Sequence, residues 1–255
     1  PAYGNGLDIA EDVSGFVSNP MEHAEASKIS LYGIADYTWN MKAYDYQKDW
    51  TKAINALLPS NAEALHTFAL YNKDLGQNGH GFRRDEGEEL SHIAQAAIKG
   101  DKKAIDEINA KCLQLKNACD LLLADKTNKE LIRELRPWLL QAKNLADYGS
   151  TVVMMLEGNS ALDFASLYSQ ARSIQEQMFE LENSDVRHAL QPGIKVGTKV
   201  MLPTLQKLFT LAVDNYNKLN GTTLSNVSEY MPYKPTSNVE QLRLLPVSIK
   251  NSNVS

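Results

Sequence analysis

The chain holds 255 residues, enough for one large domain or two ordinary ones at about 150 residues each. Its 26 basic and 31 acidic side chains leave a net charge of −5, which argues against a chain-wide nucleic-acid or anionic-membrane footprint. A hydrophobic share of 43% is too high for disorder, apolar runs such as Val152–Leu156 are far shorter than a membrane span, and 2 cysteines cannot staple a scaffold.

The opening "PAYGNG" carries neither Met nor a charged-then-apolar leader, so the expectation is a processed start or a piece of something longer. Asp12–Ser18, "DVSGFVS", reads as a short apolar strand ending at Asn19–Pro20. A helix is expected from Pro20 to about Trp39, with Asn19 as N-cap, Pro20 at N1 and Glu22 at N3. That is one β/α unit, and it needs a parallel sheet this chain does not contain.

Helices are expected next at Gln47–Leu58, Asn61–Leu75 and roughly Asp85–Lys99. Ser60 and Glu63 read as a capping box for the second of these, and Gly76 as the glycine that closes it. From Lys102 the pattern is helix after helix. Ile105, Ile108, Cys112, Leu115, Cys119 and Leu122 recur at spacings of 3 and 4, the seam of helices packed at shallow angles. The rhythm repeats in Leu135, Trp138, Ala142, Leu145, Gly149, Val152 and Leu156. It returns in Leu167, Ala171, Ile174, Met178 and Leu181, then in Leu202, Leu205, Phe209, Ala212, Tyr216 and Leu219. Short breakers at 126–128, 158–160 and 183–193 predict an antiparallel bundle. Pro137 either starts a helix or kinks one; a start is favoured, with Asn128–Arg136 as a separate turn or short helix. After Gly221 the chain turns polar and proline-bearing, an ordered wrap or an exit linker towards a further domain, in which "LPVSIKNS" could form an edge strand.

The chain shows no complete active-site motif: no G-x-S-x-G, H-E-x-x-H, P-loop or Asp–Asp pair occurs. "GQNGHG" (Gly76–Gly81) comes after a helix, not a strand, so a dinucleotide loop fails on context. His23, His66, His80, His92 and His188 lack the spacing of metal ligands. His80 with Arg83 and Arg84 could hold an anion, but ion pairs with Asp85 and Glu86 explain them better. Glu11–Asp12 and Glu88–Glu89 would diverge on a helix and make no acid/base couple. Tyr32, Tyr37, Trp39, Tyr44, Tyr46, Trp50, Phe68 and Tyr71 read as packing between early helices, ahead of a sugar-stacking surface. Cys112 and Cys119 lie about 10 Å apart on one helix, too far for a disulfide, and read as small buried apolar residues.

"SGFVSNPMEHAEASKISLYGIADYTWN" (14–40) and "AYDYQKDW" (43–50) resemble the segment joining barrel to helical domain in family 84 glycoside hydrolases. These β-N-acetylglucosaminidases include bacterial O-GlcNAcases and hyaluronidase-like enzymes. "NKDLGQNGHGFRRDE" (72–86) is similar to their helical domain, and "EYMPYKPTSNVEQLRLLP" (229–246) to the end of Bacteroides-type members. The resemblance implies a mainly α fold, an antiparallel helical bundle preceded by a single β/α unit left from a (β/α)8 barrel. It divides the chain into a barrel remnant (1–42), a helical bundle (43–230) and an exit segment (231–255).

The resemblance also implies a retaining, substrate-assisted hydrolase of terminal β-linked N-acetylglucosamine. In it the substrate's acetamido oxygen attacks the anomeric carbon and two consecutive aspartates assist. Those aspartates belong to strands before Pro1, so no catalytic residue is assigned here and the chain alone is expected to be inactive. Asn19, at the C-terminal end of "GFVS", matches the family asparagine that bonds a hydroxyl of the bound sugar; barrel enzymes place active-site groups there. No cofactor or metal, no nucleic acid and no membrane partner is expected. The partner is a β-linked N-acetylglucosamine glycoconjugate, and Bacteroides-type members suggest a secreted or periplasmic location. The sequons at Asn220, Asn226 and Asn253 matter only on a eukaryotic secretory route. The alternative is a non-catalytic helical module for homodimerisation or protein docking, supported by the heptad seams.

Overall fold

The computed structural model describes residues 8–18, 23–72, 87–158, 163–184, 194–198 and 200–227. Eight α-helices are present among them: α1 (Ala24–Trp39), α2 (Tyr46–Leu57), α3 (Ala62–Leu70), α4 (Gly87–Ile98), α5 (Lys102–Ala124), α6 (Lys129–Glu157), α7 (Phe164–Ser184) and α8 (Met201–Asn220). None is both long and apolar enough to cross a membrane.

The heptad seams build the core. All six seam residues of α5, from Ile105 to Leu122, are buried. Ala142, Leu145 and Val152 of α6 join Leu167, Ala171, Ile174 and Met178 of α7 and Leu202, Leu205, Phe209 and Ala212 of α8 in one continuous cluster. α6 is the hub, packing on α5, α7, α8 and α1, while α3 and α4 close over α5. The link from α5 to α6 spans only residues 125–128, so the two run antiparallel. Lys116–Asp147 (2.5 Å) and Lys143–Asp120 bridge them along their exposed edges. Gly158 and Gly221 end α6 and α8 in the left-handed conformation (φ 65° and 61°), which glycine adopts without the Cβ penalty. Leu219, the final seam residue of α8, is 84% exposed; it lies on the last turn, next to the chain's exit from the bundle.

Several local expectations give way to tertiary contacts. Pro137 neither starts nor ends a helix: α6 is continuous from Lys129 to Glu157. Proline in a helix interior costs about 3 kcal/mol, and burial of Leu131, Ile132 and Leu139 on either side offsets it. Ser60 and Glu63 form no capping box. Ser60 instead bonds Asp125 (2.9 Å) and Thr127 (3.0 Å), and Asn61 also donates to Asp125. Partial burial works against the charge on Asp125, but Thr127, Asn61 and Ser60 together hold its carboxyl well below the usual range. This cluster ties the start of α3 to the α5–α6 turn. α3 ends at Leu70, and Gly76 lies outside the described residues.

The strand expected over Asp12–Ser18 has not formed, and no β-ladder occurs among the described residues. Strand hydrogen bonds need a neighbour, and among the described residues no strand lies beside this segment, whose Val17 is 95% exposed.

Asp49, in the first turn of α2, is buried, and no donor among the described residues reaches either carboxylate oxygen. Burial, then the like charge of Asp36 on α1, raises its pKa, partly countered by Lys52. The charged form therefore weakens the fold progressively as pH rises from the ordinary Asp value near 3.9 through the raised folded value. Asp49→Asn, whose amide can donate to Asp36, is expected to raise stability at pH 7 by about 1 kcal/mol. The gain should vanish below about pH 4. Melting curves of both proteins from pH 4 to 8 check this; a gain independent of pH would contradict it.

Candidate functional site

Asn19, the sugar-contact candidate, lies outside the described residues, as do His80, Arg83, Arg84 and His188. The chain is described again from His23, four residues beyond Asn19. α1 begins at Ala24, not Pro20, and its N-cap is His23 in an extended conformation (φ −89°, ψ 103°). The expected Asn19–Pro20–Glu22 cap is therefore not the one this helix uses.

The cap arrives from across the fold. His23 makes no side-chain capping bond. The Glu134 carboxylate, on α6, accepts the backbone N–H groups of Glu25 (3.0 and 3.2 Å) and Ala26 (3.0 Å). These are among the orphan donors every helix start leaves, and a carboxylate there also meets the positive end of the helix dipole. Three further contacts complete the joint. The His23 ring meets Trp138 edge-on at 5.3 Å, its carbonyl accepts from Ser27 Oγ (2.6 Å), and Asn128 Nδ2 donates to Glu25 Oε2 (3.3 Å). Lys28 and Asn128 hold the Glu25 carboxyl below its ordinary pKa. Asn128 at the same time caps α6, accepting from Leu131 N–H at 3.1 Å. The start of α1, a few residues past Asn19, is thus anchored to the bundle by Glu134, Trp138 and Asn128.

The early aromatic residues divide. Tyr37, Phe68 and Tyr71 are buried, with Phe16 and Tyr44 edge-on to Tyr37 at 6.4 and 5.2 Å and Trp50 against His66 at 4.6 Å. Trp39 is 90% exposed and faces none of these rings. Burial of Cys112 and Cys119 pushes both thiols up to about 12, so neither is a thiolate at neutral pH. Among the described residues no three His, Cys, Asp or Glu side chains converge on a metal site.

Comparison with known proteins gives three family matches along the chain. A β-N-acetylglucosaminidase family model matches residues 1–70, and the bacterial GH84 post-catalytic domain matches residues 88–209. A third model, carbohydrate binding module family 32, matches residues 224–255. Among solved structures, CpGH84D superposes with a TM-score of 0.65 at 24% identity, over 79% of this chain and 35% of its own. CpGH84B gives 0.62 at 22% identity, over 79% of this chain and 34% of its own. A mutant of the Thermobaculum terrenum O-GlcNAc hydrolase gives 0.61 at 19% identity, over 88% of this chain and 47% of its own. At these identities the likeness is one of fold. The chain spans roughly a third to a half of the length of those proteins.

The bundle thus carries the match to the GH84 post-catalytic domain, and the residues before it the match to the β-N-acetylglucosaminidase model. The chain belongs to the family 84 glycoside hydrolases. Sequence reasoning did not find Glu134, whose partner is 109 residues away along the chain. The module match begins at residue 224, ahead of residues 231–255, which the sequence suggests are an exit segment or a linker to a further domain.

Proposed function

We propose that the chain is the C-terminal portion of a retaining, substrate-assisted β-N-acetylglucosaminidase that removes terminal β-linked N-acetylglucosamine. In this reading residues 1–42 end the catalytic barrel, 43–230 form the helical scaffold and 231–255 lead into a further domain. Asn19 contacts a sugar hydroxyl, and the bundle steadies the chain just after it. The observation that carries the reading is the order of the matches, catalytic type over 1–70 and post-catalytic type over 88–209. The helix cap adds support: the N-cap of α1 is His23, not Asn19.

The test has two arms. The 255-residue chain, purified free of other glycosidases, is expected to show no turnover of an aryl β-N-acetylglucosaminide; measurable turnover defeats the reading. In the protein that includes the sequence encoded upstream, Asn19→Ala is expected to lower kcat/KM about 10- to 100-fold, the worth of one buried hydrogen bond to a polar ligand. An unchanged kcat/KM would remove Asn19 from the site.

A further inference from the structure

Residues 222–227, after α8, have no regular structure, yet the bundle holds them by their backbone. Past Gly221 the chain folds back along α7 and α8. The Asn217 side chain acts as a substitute backbone partner. Its Oδ1 accepts Leu224 N–H (2.9 Å) and Thr222 Oγ1 (2.8 Å), and its Nδ2 donates to the Leu224 carbonyl (2.8 Å). Arg172 on α7 then donates to two carbonyls, through Nη2 to Ser225 (2.9 Å) and through Nη1 to Val227 (2.6 Å). Tyr168 Oη also donates to Ser225 O (3.1 Å), and Thr210 Oγ1 to Asn226 O (3.0 Å). Four consecutive carbonyls, Leu224 to Val227, each receive a side-chain donor from the bundle. Asn226 returns the grip by donating to Asp214 Oδ1 at 2.7 Å.

The gripping arginine is itself held in place. Its guanidinium lies 5.1 Å from the Tyr168 ring centre and 5.0 Å from that of Phe209, where an arginine is well placed for cation–π attraction. Its Nη1 also donates to Gln175 Oε1 (3.1 Å), and the buried Gln175 amide donates to Tyr148 Oη (2.8 Å). The donors are therefore preorganised on rigid helices. A free tether has no such partners; its backbone bonds water, and its order is low.

Residues 224–227 are also the first four of the match to the carbohydrate-binding module. We propose that the α7–α8 face is a clamp that fixes the point and direction at which that module begins, so that it is carried in a set orientation and not on a flexible linker. The purpose of the clamp rests on reading the downstream region as a sugar-binding module. A module so fixed presents its site at one separation from the catalytic domain, which sets the effective concentration for a glycan that reaches both.

The test uses the 255-residue chain first. Hydrogen exchange at the Leu224 amide is expected to be at least ~10-fold slower than in a free peptide, as for other amides held in structure. Arg172→Ala and, separately, Asn217→Ala are expected to speed that exchange and proteolytic cleavage within residues 222–227 about 10-fold. Exchange in the middle of α6 should stay unchanged. Asn217 sits on the last turns of α8, so its variant keeps the test valid if Arg172→Ala disturbs the bundle. Free-peptide exchange in the wild type, or cleavage unmoved by both variants, overturns the clamp. Small-angle scattering of the longer protein carrying the whole matched module should show one compact arrangement that broadens with Arg172→Ala. A clamped protein whose downstream region binds nothing on a panel of immobilised mono- and disaccharides would overturn the purpose assigned to the clamp and leave the glycosidase reading standing.

Discussion

Phe209→Ala is expected to cost about 3–5 kcal/mol of stability, the range for removing a fully buried phenylalanine. The ring is wholly enclosed, at 6.2 Å from Tyr148 on α6 and stacked at 5.9 Å on Tyr168 of α7. It thus fills the space where three helices meet, and it also forms one of the two aromatic faces beside Arg172. Removing it leaves a void that α6, α7 and α8 cannot jointly close, because each is held elsewhere along its seam. For a domain of this size such a loss lowers the melting temperature by roughly 10 °C. Circular dichroism at 222 nm on heating is the measurement. A fall under about 3 °C would mean that the neighbouring side chains collapse into the gap, at less than about 2 kcal/mol. Phe209→Leu, which keeps most of the volume, should cost far less and show that the loss is one of packing.

The second large effect is expected at Gly149. A Cβ built there would overlap Cys112 Sγ on α5 and stand 3.0 Å from Leu205 Cδ1 on α8. Glycine within a helix is worse than alanine by about 1 kcal/mol, so its presence in the centre of α6 needs a tertiary reason. Close approach of three helices supplies one. Gly149→Ala recovers the helix propensity but meets the sulfur, for a net loss of about 1–2 kcal/mol. Gly149→Val adds two methyl groups with no room for either and should cost about 3 kcal/mol. Since Cys112 is itself buried in the α5 seam, it cannot simply swing away. Denaturation midpoints of Gly149→Ala, Cys112→Ala and the double variant separate the two contributions. The pair should be non-additive, with Cys112→Ala relieving the Gly149→Ala penalty. Strict additivity would show that the sulfur is not what excludes the side chain.

These two positions also mark how far a linear reading reaches. Both were visible as members of 3- and 4-spaced seams, because the period of a helix forces apolar residues onto one face wherever that face is buried. The four long helices and the buried state of both cysteines came from that period, and the breaks near residues 126 and 158 from the polar and glycine residues there. The seam places Gly149 on the inner face; it does not say that Cys112 and Leu205 press upon it.

The starts expected at Gln47 and Lys102 fall within one residue of those observed, where the caps are local, whereas the long helix that begins at Lys129 was expected to start at Pro137. Asp45, Asp101 and Asn128 each accept an N–H two or three residues onward, as such residues do at N-caps. The start of α1 is different, because its acceptor, Glu134, belongs to another helix. Ser60 and Glu63 had the spacing of a capping box, but Asp125 offered the Ser60 hydroxyl a charged partner. A charge-assisted bond outcompetes a neutral local one. Pro137 reads as a boundary by its missing N–H alone, yet α6 passes through it because packing on both flanks outweighs one lost bond.

The candidate site divides along the same line. The family to which the chain belongs was legible in short motifs, since a run such as Asn19–Pro20–Met21–Glu22–His23 carries its identity in residue order. Periodicity likewise carried the helical class and the heptad core, both properties of neighbours along the chain. The cap that Glu134 places on α1, the buried carboxyl of Asp49 facing Asp36, and the grip of Arg172 and Asn217 on residues 224–227 were decided in space. In each, the energy lies between groups brought together by folding, and a polar group can be satisfied from any direction the fold allows.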